Sequence, residues 1–100
     1  MDLTLNSNGG STRFQIAGAI DERGAEQLKT AFATLQLEGS KEVIFDFGRV
    51  THIGSAGLGK LLMFYQKLAS KGLQMRLDNP SAQLRELLAE LRLDTLFQVH

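Results

Sequence analysis

The stretch Thr51-His52-Ile53-Gly54-Ser55-Ala56-Gly57-Leu58-Gly59-Lys60-Leu61-Leu62 decides the fold. An apolar run, Val43-Ile44-Phe45-Asp46-Phe47, precedes it. Leu58, Leu61, Leu62, Tyr65 and Leu68 follow at helical steps. The passage therefore reads strand, glycine-rich turn, helix. Glycine tolerates the backbone angles and close approaches of a tight turn. Serine caps helix starts because its oxygen accepts a hydrogen bond from a free backbone N–H. Ser55 is thus expected as the N-cap of the helix, with an exposed hydroxyl.

Outward from this centre, strands and helices alternate. Leu3-Thr4-Leu5 and Phe14-Gln15-Ile16-Ala17 alternate apolar and polar residues as half-buried strands do. The turn-rich Asn6-Ser7-Asn8-Gly9-Gly10-Ser11 between them predicts a hairpin with a loose loop. Gly18-Ala19-Ile20-Asp21 ends the second strand, and Asp21 suits the N-cap of a helix whose stripe is Ala25, Leu28, Phe32 and Leu35. Gly39 is expected just beyond that helix. Glu42 to Phe47 is apolar on both faces, which predicts a central strand. Gly72 closes the helix after the glycine-rich turn. Leu73 to Leu77 is a strand, and Ser81 caps a third helix carrying Leu84, Leu87, Leu88 and Leu91. Leu96-Phe97-Gln98-Val99 is a last strand. The order β-β-α-β-α-β-α-β predicts an α/β fold with a mainly parallel sheet and one antiparallel strand from the initial hairpin.

Whole-chain properties narrow the function. One hundred residues point to one domain, residues 1–100, with a modest core. Formal net charge is zero and no basic run occurs, which argues against nucleic acid as a partner. With no cysteine, thiolate catalysis and cysteine-ligated zinc are excluded, and His52 and His100 have no metal-ligand spacing. No apolar segment reaches the ~20 residues that span a bilayer, and the first residues lack a signal peptide's pattern. A cytoplasmic protein without cofactor or metal is expected.

Spacing separates the readings of the central turn. Gly54 to Lys60 matches G-x-x-x-x-G-K, but Leu61 stands where a phosphate-binding loop needs serine or threonine, and the loop would be long. The nucleophile elbow G-x-S-x-G fails because Ile53 replaces its first glycine, and only His100 lies downstream as a base. Two readings remain open from the residues alone. Ser55 is simply a cap, or it is a cap and a phosphorylation switch. A phosphate there would sit against free N–H groups at the positive end of the helix dipole, and its charge of about −1.5 to −2 would alter the surrounding face.

Three segments resemble the STAS domains of the bacterial anti-sigma-factor antagonist group. Gly18-Ala19-Ile20-Asp21 is similar to that family's G-x-[LI]-D stretch. Val43 to Phe47 with Val50 to Ile53 is similar to its apolar strand and approach, and Gly54 to Gly59 to its D-S-[ST]-G-L-G signature. The resemblance covers essentially the whole chain. It implies a STAS fold and a regulatory binding protein rather than an enzyme. It implies Ser55 as phosphoacceptor for a serine kinase/anti-sigma factor that uses ATP, with a phosphatase to reverse the change. It implies a docking neighbourhood of Asp21, Gly54, Ala56, Gly57 and Leu58, and the free protein is expected to be a monomer. Leu58 suits an exposed contact or a core position equally. Asp21 and Asp46 are expected near the docking surface, since strand ends and their loops share one sheet edge. Gly54 replaces the family's aspartate. Ala56 replaces a second hydroxyl, so Ser55 is the sole hydroxyl from Gly54 to Gly59. Other STAS proteins act without phosphorylation, as fixed modules in signalling or lipid-transport assemblies.

Overall fold

A computed structural model describes residues 1–100. The chain runs β1 (Asp2–Asn8), β2 (Ser11–Ile20), α1 (Glu22–Ala33), β3 (Glu42–Ile53), α2 (Ser55–Ser70), β4 (Gln74–Asp78), α3 (Ala82–Glu90), a 3-10 turn (Leu93–Thr95) and β5 (Gln98–Val99). The sheet order is β1-β2-β3-β4-β5. β1 pairs antiparallel with β2, and every later pairing is parallel. This is the expected α/β order, with β3 at the centre.

The register puts Phe14 beside Phe45 and Phe45 beside Leu77, so one face gathers the large apolar side chains of β2, β3 and β4. Phe64 of α2 stacks on Phe45 with ring centroids 5.6 Å apart, and Phe32 of α1 stacks on Phe64 at 4.3 Å. Leu28, Leu61, Leu68, Leu84 and Leu88 join the same buried cluster, so all three helices share one core on one face of the sheet.

The opposite face is polar, which corrects the expectation that β3 is apolar on both sides. Arg13, Asp46, Arg76 and Asp78 alternate with the core residues and project from that face. Ile44, also on it, is only 5% exposed and is in register with Arg13 and Arg76. Arginine stems cover apolar surface while their charged heads remain wet. Two guanidinium groups and three carboxylates lock the strands together. Arg13 donates to Asp46 Oδ2 and to Asp78 Oδ2, each at 3.0 Å. Arg76 Nε donates to Asp78 Oδ1 at 2.8 Å, and its Nη1 lies 3.6 Å from Glu42.

Several boundaries differ from expectation. β1 and β2 extend to a tight Gly9-Gly10 turn, with both glycines at positive φ, rather than to a loose loop. α1 ends at Thr34, whose N–H and hydroxyl both turn back on the helix, so Gly39 belongs to a separate turn. β3 continues six residues beyond Phe47, because β2 stays beside it to the Ile20–Ile53 pair. The expected strand from Leu96 shrinks to Gln98–Val99, since a 3-10 turn takes up the preceding residues. In α3, Leu84 and Leu88 are core, whereas Leu91 is 51% exposed.

Candidate functional site

The site forms where β2 and β3 end together. Gly54 N–H donates to Ile20 O at 3.0 Å, tying the first residue after β3 to the last of β2. Both strands then give way to helices, α1 after Asp21 and α2 after Gly54. The two helix starts therefore lie side by side.

α1 is capped as expected. Asp21 is extended, and its Oδ1 accepts from Gly24 N–H at 2.8 Å. That bond, above all, holds the Asp21 carboxyl below its usual range. At α2 the residue roles shift by one. Gly54, not Ser55, is the N-cap, with φ −90° and ψ 177°, and Leu58 N–H donates to its carbonyl at 3.1 Å. Ser55 is the first helical residue. The cause is the length of β3, which delivers extended backbone right up to Gly54. Gly54 has no side chain to cap with, so no side-chain bond serves this helix start. The first turn also holds no acidic residue. Ser55 is exposed on that turn, beside backbone N–H groups that the helix itself leaves free.

The same geometry removes the phosphate-loop reading more firmly than spacing did. Gly54 to Lys60 contains no loop, because helix begins at Ser55 immediately after the strand.

Each neighbouring residue has a distinct place. Ala56 and Leu58 are half-buried, and Leu58 packs on the core rim. Gly57 is buried, and a Cβ there would lie 2.7 Å from Ile53 Cγ1 and 2.9 Å from Ile20 Cγ2. Gly57 thus lets α2 sit down on the ends of β2 and β3. Ala56, Gly59 and Lys60 of α2 face Glu22 and Glu26 of α1 across a cleft between the two helices. Lys60 Nζ lies 3.7 Å from Glu26 in that cleft.

Asp46 does not join this group. It sits seven residues before Ile53, about 20 Å back at the rise of a strand. Its carboxylate accepts from Gly48 N–H, Asn79 Nδ2 and Arg13 on the polar face. Sequence inspection missed Arg13, Arg76 and Asp78. A lone carboxylate inside an apolar strand was the available clue, since such a group requires a cationic or amide partner.

The family model described as "Mlab, STAS domain" matches residues 3–98. The chain belongs to the STAS family. Its sequence is 32% identical over 68 residues to BtrV of Bordetella bronchiseptica, a candidate anti-sigma factor antagonist, a match covering 68% of this chain and 59% of that protein. The matched region is therefore less than two thirds of that relative. Two solved structures share the fold. The Bacillus cell fate determinant SpoIIAA in its phosphorylated form is 21% identical with a TM-score of 0.79, covering 99% of this chain and 91% of that one. A candidate anti-sigma factor antagonist of Thermotoga maritima is 16% identical with a TM-score of 0.87, covering 97% and 84%. The architecture of this STAS domain is thus that of anti-sigma factor antagonists. No helix is long and apolar enough to cross a membrane.

Proposed function

We propose that this STAS protein is a regulatory binding protein of the anti-sigma-factor-antagonist type, switched by reversible phosphorylation of Ser55. A partner serine kinase/anti-sigma factor adds the phosphate from ATP and a phosphatase removes it, while the domain itself catalyses nothing. The observation that carries the reading is an exposed serine on the first turn of α2 with no carboxylate in that turn. Free N–H groups and the helix dipole favour a phosphate there, so modification leaves the fold intact. SpoIIAA, which shares the fold, is known in unphosphorylated and phosphorylated forms. Asp21, Gly54, Ala56 and Leu58 form the docking neighbourhood, with Gly57 setting the seat of the helix. The protein acts in the cytoplasm as a monomer when free.

Incubation with ATP and the kinase encoded beside its gene should place phosphate on Ser55, as read by peptide mass spectrometry. Ser55→Asp should weaken partner binding and Ser55→Ala should preserve it. Equal binding by the two variants removes the switch. One observation favours a second reading, a fixed interaction module in a signalling or lipid-transport assembly. Gly54 leaves the helix start without the carboxylate that the antagonist signature carries. Phosphate elsewhere, or none after incubation with the kinase and ATP, while partner binding persists, would favour that reading.

A further inference from the structure

The tight turn that joins β1 to β2 carries a reactive dipeptide, Asn8-Gly9. Gly9 at φ 55° and Gly10 at φ 92° form a two-residue hairpin of the kind that needs positive φ at both central positions. Ser7, Asn8 and Gly9 are all exposed. The Ser7 and Thr12 hydroxyls pair with each other at 3.5 Å, whereas the Asn8 side-chain amide makes no hydrogen bond. The Gly9 N–H is not taken up by any backbone carbonyl. A Cβ on Gly9 would meet nothing within 4 Å, so open space surrounds the turn on that side. Two successive glycines also give the backbone freedom to bring the Gly9 nitrogen toward the Asn8 side chain.

The other two asparagines lack this combination. Asn6 lies inside β1, held extended opposite Arg13, and the nitrogen after it belongs to Ser7, whose Cβ restricts the backbone. Asn79 precedes Pro80, whose nitrogen carries no hydrogen to lose, and its own Nδ2 donates to Asp46 at 3.3 Å.

We propose that Asn8 is a modification site, at which the chain deamidates itself to aspartate and isoaspartate. The Gly9 amide nitrogen gives up its proton to solvent base and bonds to Asn8 Cγ. The Cγ–Nδ2 bond breaks, and ammonia leaves with a proton from water, closing a cyclic imide. Water then opens the ring, with no oxidant or reductant involved. Attack at Cγ yields aspartate in an unaltered chain. Attack at the Asn8 backbone carbonyl yields isoaspartate, which inserts a methylene into the main chain. Either product takes the formal net charge from zero to one negative. Isoaspartate also spoils the Asn8–Ser11 pair and strains the anchor beside it, in which Gly10 O accepts from Lys41 N–H at 2.7 Å and Glu42 N–H at 3.3 Å. The turn stands at the start of β2 and Ser55 lies beyond its far end, so this modification and the phosphorylation of Ser55 stand or fall separately.

Full-length protein aged at mildly alkaline pH and digested with trypsin should give two new forms of the Met1–Arg13 peptide. Each should have the mass of the acid, with the change placed on Asn8 by fragmentation. The conversion should speed up as pH rises. Asn8→Gln should lose it, because the longer side chain closes a ring far less readily. Aged protein should melt below directly made Asn8→Asp protein, since only aging yields isoaspartate. No conversion, conversion at Asn6 or Asn79 instead, equal conversion in Asn8→Gln, or aged protein that melts with Asn8→Asp overturns the proposal.

Discussion

Replacing Gly57 by alanine tests how α2 is seated. The substitution has two opposing effects. Alanine in place of glycine within a helix gains about 0.8–1 kcal/mol of propensity. Against this, the new Cβ would stand 2.7 Å from Ile53 Cγ1 and 2.9 Å from Ile20 Cγ2. Both neighbours are β-branched strand residues with stiff side chains, and Ile20 is fully buried. The helix start must therefore lift or the strand ends must shift. Such overpacking costs typically about 1–3 kcal/mol, so Gly57→Ala should range from neutral to about 2 kcal/mol destabilising. Gly59 supplies the internal reference. It lies two residues on in the same helix, and a Cβ there meets nothing within 4 Å. Gly59→Ala should therefore stabilise by about the propensity gain alone. The gap between the variants isolates the clash at ~1–3 kcal/mol, which corresponds to a Tm difference of roughly 4–8 °C per kcal/mol for a domain of this size. Urea unfolding at equal m, with calorimetric Tm as a second reading, measures it. If Gly57→Ala stabilises as much as Gly59→Ala, close approach is not why glycine stands there.

Three further outcomes are expected. Gly54→Asp should fold normally, since the N-cap backbone is extended and a Cβ lies 3.8 Å from Ile20 O. Its stability should differ from the parent by a few tenths of a kcal/mol at most, because glycine is itself a fair N-cap, and a Tm drop of ten degrees would contradict the geometry. Asp78 should make stability acid-sensitive. Burial raises its pKa, but hydrogen bonds from Arg76 and Arg13 outweigh that and hold it below the ordinary 3.8. The unfolded chain thus takes up the proton first, so this contribution is complete above about pH 3.8 and fades as pH falls through the folded value. Urea midpoints across acidic pH should fall, and in Arg76→Gln, where the folded value moves back up toward the ordinary one, the fall should be smaller. A midpoint that rises on acidification would refute the sign. Arg92 adopts φ 59° beyond α3, a left-handed conformation that costs a residue with a Cβ roughly 1–2 kcal/mol. Arg92→Gly should therefore raise Tm, as followed by circular dichroism, and an unchanged or lower Tm would mean that the arginine side chain compensates locally.

What the sequence by itself determined is local. Asp21 and Ser81 were legible as caps because each bonds an N–H three residues ahead, at 2.8 and 3.1 Å. The helical stripes, the apolar central strand and the order of elements were legible because spacing of 3.6 and 2 residues records which side faces the core. The central stretch was legible as strand, then glycine and serine, then helix, but not to the residue. Whether β3 stopped at Phe47 or ran to Ile53 depended on β2, a partner more than thirty positions earlier in the chain. That one pairing moved the cap from Ser55 to Gly54 and placed the serine on the first helical turn. The polar face has the same origin. Arg13 meets Asp46 across 33 positions and Asp78 across 65, distances over which no periodicity carries information. Tertiary structure alone decided these contacts, because hydrogen bonds between strands and the fit of Gly57 against Ile20 and Ile53 exist only once distant segments lie side by side.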